Sequence, residues 1–370
     1  RWVGILAAQR HLPGAVEWLS AVSASNNDKS LREWRVRAAL RAGQWQTGLR
    51  FISALSEDEQ KDSEWLYWKA RLLEKTGDKK AAWPIFSELA TERSYYGFLA
   101  SDHVGRDYSM QHVSIDASPE EISAMLAQPG IQMARELFIM GEITAARRQW
   151  AWATRAMGSR SLQVAAVLAS HWGWYDRAIF TVAKSDHLDD LELRFPILYR
   201  DMVEDSAQKS EIDPSWVYGV MRQESAFVTD ARSIAGALGL MQLMPQTGRQ
   251  TGRRLNLDIN SNSAILKVEN NLRLGAGYLK NVLDVNNGHQ VLATASYNAG
   301  PHRVKGWLPA AEGLDADAWV ESIPFTETRN YVKKITETLQ LYRSRLAGDA
   351  ALQLVQDLGR ASKFSVPTAK

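Results

Sequence analysis

Through the first 190 residues, apolar positions recur at helical spacing in short runs, and the runs break at glycine. Ala70-Arg71 is followed by Gly77 and Ala81-Ala82, and Ala134-Arg135 by Gly141 and Ala145-Ala146 at the same offsets. A weaker copy has Ala166, Gly173 and Ala178, while Trp34 and Gly43 repeat the interval from Trp68 to Gly77. The pattern predicts a helix with small residues for close packing, a left-handed glycine cap, and an antiparallel helix. Pairs of this kind stack into an α-solenoid.

Eleven of the 14 tryptophans fall before residue 175. Wedging between stacked helices is the favoured reading, because buried aromatics dominate core energetics; a Trp-lined sugar or peptide surface is the alternative. Turn residues at Asp116, Ser118-Pro119 and Pro129-Gly130 mark one break, and the stretch from Asp186 to Pro196 marks a second. Beyond about residue 195, helical stretches alternate with loops rich in Gly, Ser, Asn and Pro, with a weak strand candidate at Leu255–Ile259. The expectation is a mainly α protein with a minimal β element. A helical solenoid occupies 1–129, a helical linker domain 130–194, and a final domain 195–370. After Ala347 the tail reads as amphipathic and then polar, frayed through Ser365 to Lys370.

Composition narrows the chemistry. The absence of cysteine excludes disulfides, thiol nucleophiles and Cys-ligated zinc. A formal net charge of +2 argues against nucleic acid as the main partner. No run of 18 apolar residues predicts a transmembrane segment. The chain opens at Arg1 with neither initiator Met nor signal region, and reads as a mature or truncated product.

Asp213-Pro214 is a helix start, with Asp as cap and Pro at the first helical position. Counting back from Glu224, Met221, Val220 and Val217 share its face. A carboxylate on an apolar stripe is costly, and desolvation there raises its pKa toward that of a general acid. On this helix alone, a Glu that turns outward or pairs with Arg222 or Arg232 is an equal reading. Downstream, Ser233 opens a run whose small residues at 235–237 and Gly239 permit close backbone approach. Gln242 then offers an amide suited to a sugar N-acetyl group. Ala295 to Pro301 places Tyr297 and Asn298 beside a Gly-Pro break, and Ile323 to Val332 puts Glu327 and Arg329 at another helix opening.

Together these segments resemble the soluble lytic transglycosylases of the goose-type lysozyme superfamily, especially the large periplasmic members with a helical superstructure. Gln223-Glu224-Ser225-Ala226-Phe227 is similar to the family's first motif, with its sole catalytic Glu, and Gly236 to Gln242 to its second. Ser296-Tyr297-Asn298-Ala299-Gly300 is similar to the third, and the segment from Ile323 to Val332 is typical of the large soluble subgroup. One departure is Val228-Thr229, where the family commonly has a polar residue followed by Pro.

The resemblance implies cleavage of the β-1,4 bond between N-acetylmuramic acid and N-acetylglucosamine, with closure of a 1,6-anhydro ring. Most glycosidases set two carboxyl groups ~5–9.5 Å apart, yet no acid is an obvious partner for Glu224, Asp230 lying in a loop. In the family one Glu acts as acid and then base, while the substrate's own N-acetyl oxygen attacks the anomeric carbon. By motif position Ser233 resembles a partner near Glu224 or the muramyl N-acetyl group. Gln242 and Tyr297 resemble sugar-orienting groups, and Met244 a residue under a sugar ring. Asn298 reads equally as binding or structural, and Glu327 as a groove residue or a helix-start acid stabilised by the dipole. His302 reads as surface. No metal and no cofactor is expected. The implied partners are peptidoglycan strands, muropeptides and cell-wall synthesis proteins, for a monomer in the periplasm of a Gram-negative bacterium. The rival readings are a goose-type muramidase and an inactive glycan-binding scaffold. The fragment from about 195 to 370 is expected to fold alone.

Overall fold

The computed structural model describes residues 1–23, 28–309 and 313–347; the predicted tail after Ala347 lies outside them. The four glycines of the repeat do the same job in each copy. Gly43, Gly77, Gly141 and Gly173 all have φ between 66° and 95°, just past the helices Lys29–Arg41, Ser63–Lys75, Pro129–Ile139 and Ser159–His171. In each, the next residue's N–H reaches five residues back: Gln44 to Ala39, Asp78 to Leu73, Glu142 to Leu137 and Trp174 to Ala169. This closure satisfies the last carbonyls of the helix and reverses the chain. The second helix of each pair follows at once, at Trp45–Ser53, Lys79–Leu89, Ile143–Thr154 and Tyr175–Val182. The paired alanines Ala70, Ala82, Ala134, Ala146, Ala166 and Ala178 are buried, which is why small residues stand there.

The chain divides into two units, neither contiguous in sequence. The first comprises residues 1–110, 210–219 and those from 276 onward; the second comprises 111–209 and 220–275. In the first, one apolar core runs from Val36, Trp65, Trp68 and Tyr95 to Trp319, Ile323 and Val332. Helices before residue 110 and helices after 290 therefore bury the same surface. In the second, Trp150 and Trp174 are buried with Ile131, Val164 and Leu168, and Phe138 stacks on Trp174 at 4.5 Å. The packing role expected for tryptophan holds for these residues. Trp2, Trp18, Trp83 and Trp152 instead stand exposed.

The strand expected at Leu255–Ile259 does not form. Leu255 ends the helix Pro245–Arg254, and Leu257 N–H bonds back to the Gly252 carbonyl at 2.8 Å. Ile259 packs so closely that a Cβ on Gly252 would lie 2.7 Å from its side chain. The alternation of apolar residues there is the signature of a helix exit folding onto its own last turn. Among the described residues there is no sheet, and the isolated β-bridges join Arg232 to Leu238 and Leu238 to Leu243. No helix among them is long and apolar enough to cross a membrane.

Candidate active site

Glu224 is the last residue of the helix Pro214–Glu224. Val217, Val220 and Met221, the positions sharing its face, are fully buried, and Glu224 itself is half-buried. The helix stops because the chain turns sharply: Ala226 and Phe227, both buried, take φ of 48° and 68°. Conformations of that kind are costly for residues with a side chain and persist only where the surroundings impose them. Ser225 imposes this one. Its hydroxyl donates to the Leu240 carbonyl at 2.8 Å and accepts from the Phe227 N–H at 3.1 Å. The residue after the carboxylate thus ties the helix end to the loop of the second motif.

That loop is a tight, self-bonded structure. Leu238 and Leu243 exchange backbone hydrogen bonds at 3.0 Å, and Gly239 N–H reaches the Ala231 carbonyl at 2.9 Å. Gln242 sits within it at φ 45°. Its Nε2 donates to the Gly239 carbonyl at 2.9 Å and to the Ala231 carbonyl at 3.3 Å. Two carbonyl partners fix the orientation of the amide, because only the nitrogen end can donate. The Oε1 is left as the acceptor with which the side chain can meet a ligand. Ser233 is exposed, and its hydroxyl accepts from the Ala237 N–H at 3.0 Å. Met244 is exposed at the cap of the helix Pro245–Arg254. The second unit therefore holds Glu224, Ser233, Gln242 and Met244 within one continuous, cross-bonded segment.

Asp230 is exposed and lies 3.5 Å from Arg147, whose Nε also reaches the buried Asp176 at 3.1 Å. Arg222 donates from Nε to the Arg194 carbonyl at 2.7 Å and lies over the Phe195 ring.

The first unit holds the other candidates. Tyr297 and Asn298 lie in the last turn of the helix Gln290–Ala299, which Gly300 terminates. Tyr297 is half-buried with its ring 5.3 Å from Tyr278. Asn298 Oδ1 accepts from the buried Thr328 hydroxyl at 2.7 Å, which joins the third motif to the fourth. Glu327, the neighbour of Thr328, is exposed in the first turn of the helix Thr326–Ala347. Arg329 is buried and donates to the Ile323 carbonyl at 2.7 Å, so it holds the turn that starts this helix. His302 is exposed.

Sequence reasoning gave no role to Ser225, Asn271 or Thr328. Asn271 is fully buried in the helix Val268–Val285. The signal was available, because it shares a helix face with Leu274 and Gly275, a polar residue on an apolar stripe.

Two family models match the chain: the soluble lytic murein transglycosylase L domain over residues 124–191 and the transglycosylase SLT domain over residues 201–320. The soluble lytic murein transglycosylase of Escherichia coli K12 is 32% identical over 347 residues, 93% of this chain and 53% of that protein. Its counterpart in Salmonella typhimurium is 32% identical over 91% of this chain and 52% of that protein. Among solved structures, an inactive glutamate-to-glutamine mutant of the lytic transglycosylase Slt from Pseudomonas aeruginosa superposes with a TM-score of 0.90. It is 35% identical over 95% of this chain and 57% of that one. The 70-kDa soluble lytic transglycosylase of E. coli gives 0.82 at 30% identity, over 93% and 57%. The chain spans about half the length of the relatives it matches. With both domain models in order and likeness along nearly its whole length, the chain belongs to the soluble lytic transglycosylase family.

Proposed function

We propose that this chain cleaves the β-1,4 bond between N-acetylmuramic acid and N-acetylglucosamine in peptidoglycan and leaves a 1,6-anhydro end. The observation that carries the reading is Glu224, a half-buried carboxyl closing a helix whose shared face is wholly apolar. A carboxyl at that place can serve as the general acid that protonates the glycosidic oxygen. The nearest following acid, Asp230, is exposed and faces Arg147, a poor situation for a second catalytic carboxyl. Substrate assistance supplies what that carboxyl would do: the N-acetyl oxygen attacks the anomeric carbon as the leaving sugar departs. Glu224, now ionised, takes the proton of the C6 hydroxyl, whose oxygen closes the anhydro ring and releases the N-acetyl group.

Gln242 offers its Oε1 to an N-acetyl or hydroxyl donor, and Tyr297 contributes a ring and phenol to sugar orientation. Met244 supplies an exposed apolar surface for a sugar ring. Ser233 and Glu327 are exposed and open to polar contact with substrate. Asn298 is engaged by Thr328, which favours a structural part for it. In this reading residues 195–370 carry the chemistry, while the helical pairs before them govern how strands and their peptides approach. The setting is the periplasm of a Gram-negative bacterium, with peptidoglycan strands and muropeptides as partners. Mass spectrometry of muropeptides released from purified sacculi tests the reaction. Products one water lighter than reducing muropeptides are expected; reducing N-acetylmuramic acid alone would make the chain a muramidase, and unchanged sacculi an inactive binder.

A further inference from the structure

We infer that Asn271 is a positioning residue for Gln242, acting through the backbone of residues 238–241; the inference rests on the reading of Gln242 as a substrate-binding group. The side chain of Asn271 is fully buried and spends both ends of its carboxamide on the loop and its surroundings. Oδ1 accepts from the Met241 N–H at 2.8 Å, and Nδ2 donates to the carbonyls of Leu238 and Ile265, each at 3.0 Å. The loop lies directly against it: a Cβ on Gly239, itself at φ 75°, would come within 2.4 Å of Nδ2. One turn further along the same helix, a Cβ on Gly275 would lie 2.0 Å from Met241 Sδ. Asn271 and Gly275 thus form a seat shaped for residues 238–241.

Gln242 follows that seat at once. Its positive φ and its amide bond to the Gly239 carbonyl both require the backbone of 239–241 to stay where Asn271 holds it. From the other side Ser225 bonds the Leu240 carbonyl. Two buried side chains therefore grip consecutive stretches of one loop, one beside Glu224 and one thirty residues beyond Met241. Removing Asn271 takes the side-chain acceptor from the Met241 N–H and one donor each from the carbonyls of Leu238 and Ile265, with Leu238 still accepting from the Leu243 N–H, and the loop gains by moving toward water. Gln242 then relaxes out of its left-handed conformation.

A double-mutant cycle on the full chain, read together with amide hydrogen exchange, tests this. Asn271→Ala is expected to expose the amides of 238–243 to exchange while the helix Ser159–His171 keeps its protection. Turnover on glycan strands should fall by about 10²-fold in kcat/KM, the scale of a small misplacement of a binding group. In a Gln242→Ala background the same change should cost no more than about twofold further, since its effect runs through Gln242. Unchanged exchange in 238–243, or the full cost persisting without Gln242, would overturn the proposal. Asn271→Asp, which keeps the acceptor for Met241 N–H and loses both donors, serves if the alanine variant does not fold. Failure of both to fold assigns Asn271 to the core alone and also overturns it. Exchange reads the backbone and not turnover, so this arm decides the positioning even if the chain does not cleave glycan.

Discussion

The carboxylate of Glu321 lies 2.9 Å from the guanidinium Nε of Arg37, 284 positions earlier in the chain. Both side chains are almost wholly buried, and Lys333 meets the same carboxylate at 2.8 Å. The Tyr96 hydroxyl donates to it at 2.8 Å. Burial alone would push this carboxyl up, but Lys333, Arg37 and Arg329 hold it well below the usual range. Such a cluster fixes geometry more surely than it adds stability, because desolvation offsets much of the attraction. Its loss is another matter, since a single deletion strands the remaining charges. Arg37→Ala is expected to destabilise by roughly 3–5 kcal/mol, read as a drop in the urea midpoint. A change under about 1 kcal/mol, the scale of an exposed pair, would show that water reaches the cluster.

A second buried acid ties the same parts together. Asp317 accepts from the Tyr67 hydroxyl at 2.7 Å and from Arg71 Nε at 3.0 Å. The sequence alone suggested that residues 195–370 fold independently, yet such a fragment leaves Asp317 and Glu321 without Tyr67, Arg71, Arg37 and Tyr96. It also uncovers the apolar surface that Trp65, Trp68 and Tyr95 bury. The fragment is expected to melt broadly and to bind a hydrophobic dye that the full chain ignores. A sharp two-state transition near that of the full chain would restore the independent domain.

How much of this was legible depends on how local the cause is. The glycines at 43, 77, 141 and 173 were readable because the helix-ending turn is a local structure with one demanding position. The half-burial of Glu224 was readable because a carboxyl on an apolar face stands out from the helix pattern around it, although that helix alone left its role evenly divided. Asp317 and Glu321 break the same rule, but their helix spans only Ala316–Glu321, too short for a stripe to show. Their partners lie about 250 residues away in sequence. Leu255, Leu257 and Ile259 misled for the opposite reason: an alternation of two was produced by a turn, not a strand. Asn271 was legible in principle, by the argument already applied to Glu224.

Acid should loosen the first unit before most carboxylates titrate. His11 Nε2 donates to the Ser322 carbonyl at 2.9 Å. Burial, seconded by the charge of Arg41, lowers its pKa from 6.5 to about 4, with the Ser322 carbonyl opposing. The folded state thus prefers neutral His11, and the unfolded chain binds a proton more readily. Its contribution is full above pH 6.5 and is lost as pH falls toward 4, by up to ~3 kcal/mol. Melting temperatures measured from pH 7 to pH 4 should fall, and His11→Gln should flatten that slope. An identical slope in the variant would move the effect to other groups.

Glu224→Gln separates chemistry from structure most cleanly. The substitution keeps the size of the side chain and its place at the helix end, and Ser225 holds the turn beyond. Folding should therefore be unchanged, with a melting temperature close to that of the unsubstituted chain. Turnover should almost vanish if, as proposed, a lone group serves both proton transfers, since each contributes roughly 10²–10⁴-fold. An amide can neither protonate the glycosidic oxygen nor take up the C6 hydroxyl proton. Glycan binding should persist, since Gln242 and Tyr297 are untouched, so strands should still co-sediment with the inactive variant. Asp230→Asn provides the control: if one carboxyl suffices, it should retain most activity and lose only the pairing with Arg147. A Glu224→Gln variant that keeps a tenth of the rate, or an Asp230→Asn variant as dead as Glu224→Gln, would replace the single-acid mechanism with a two-carboxyl one.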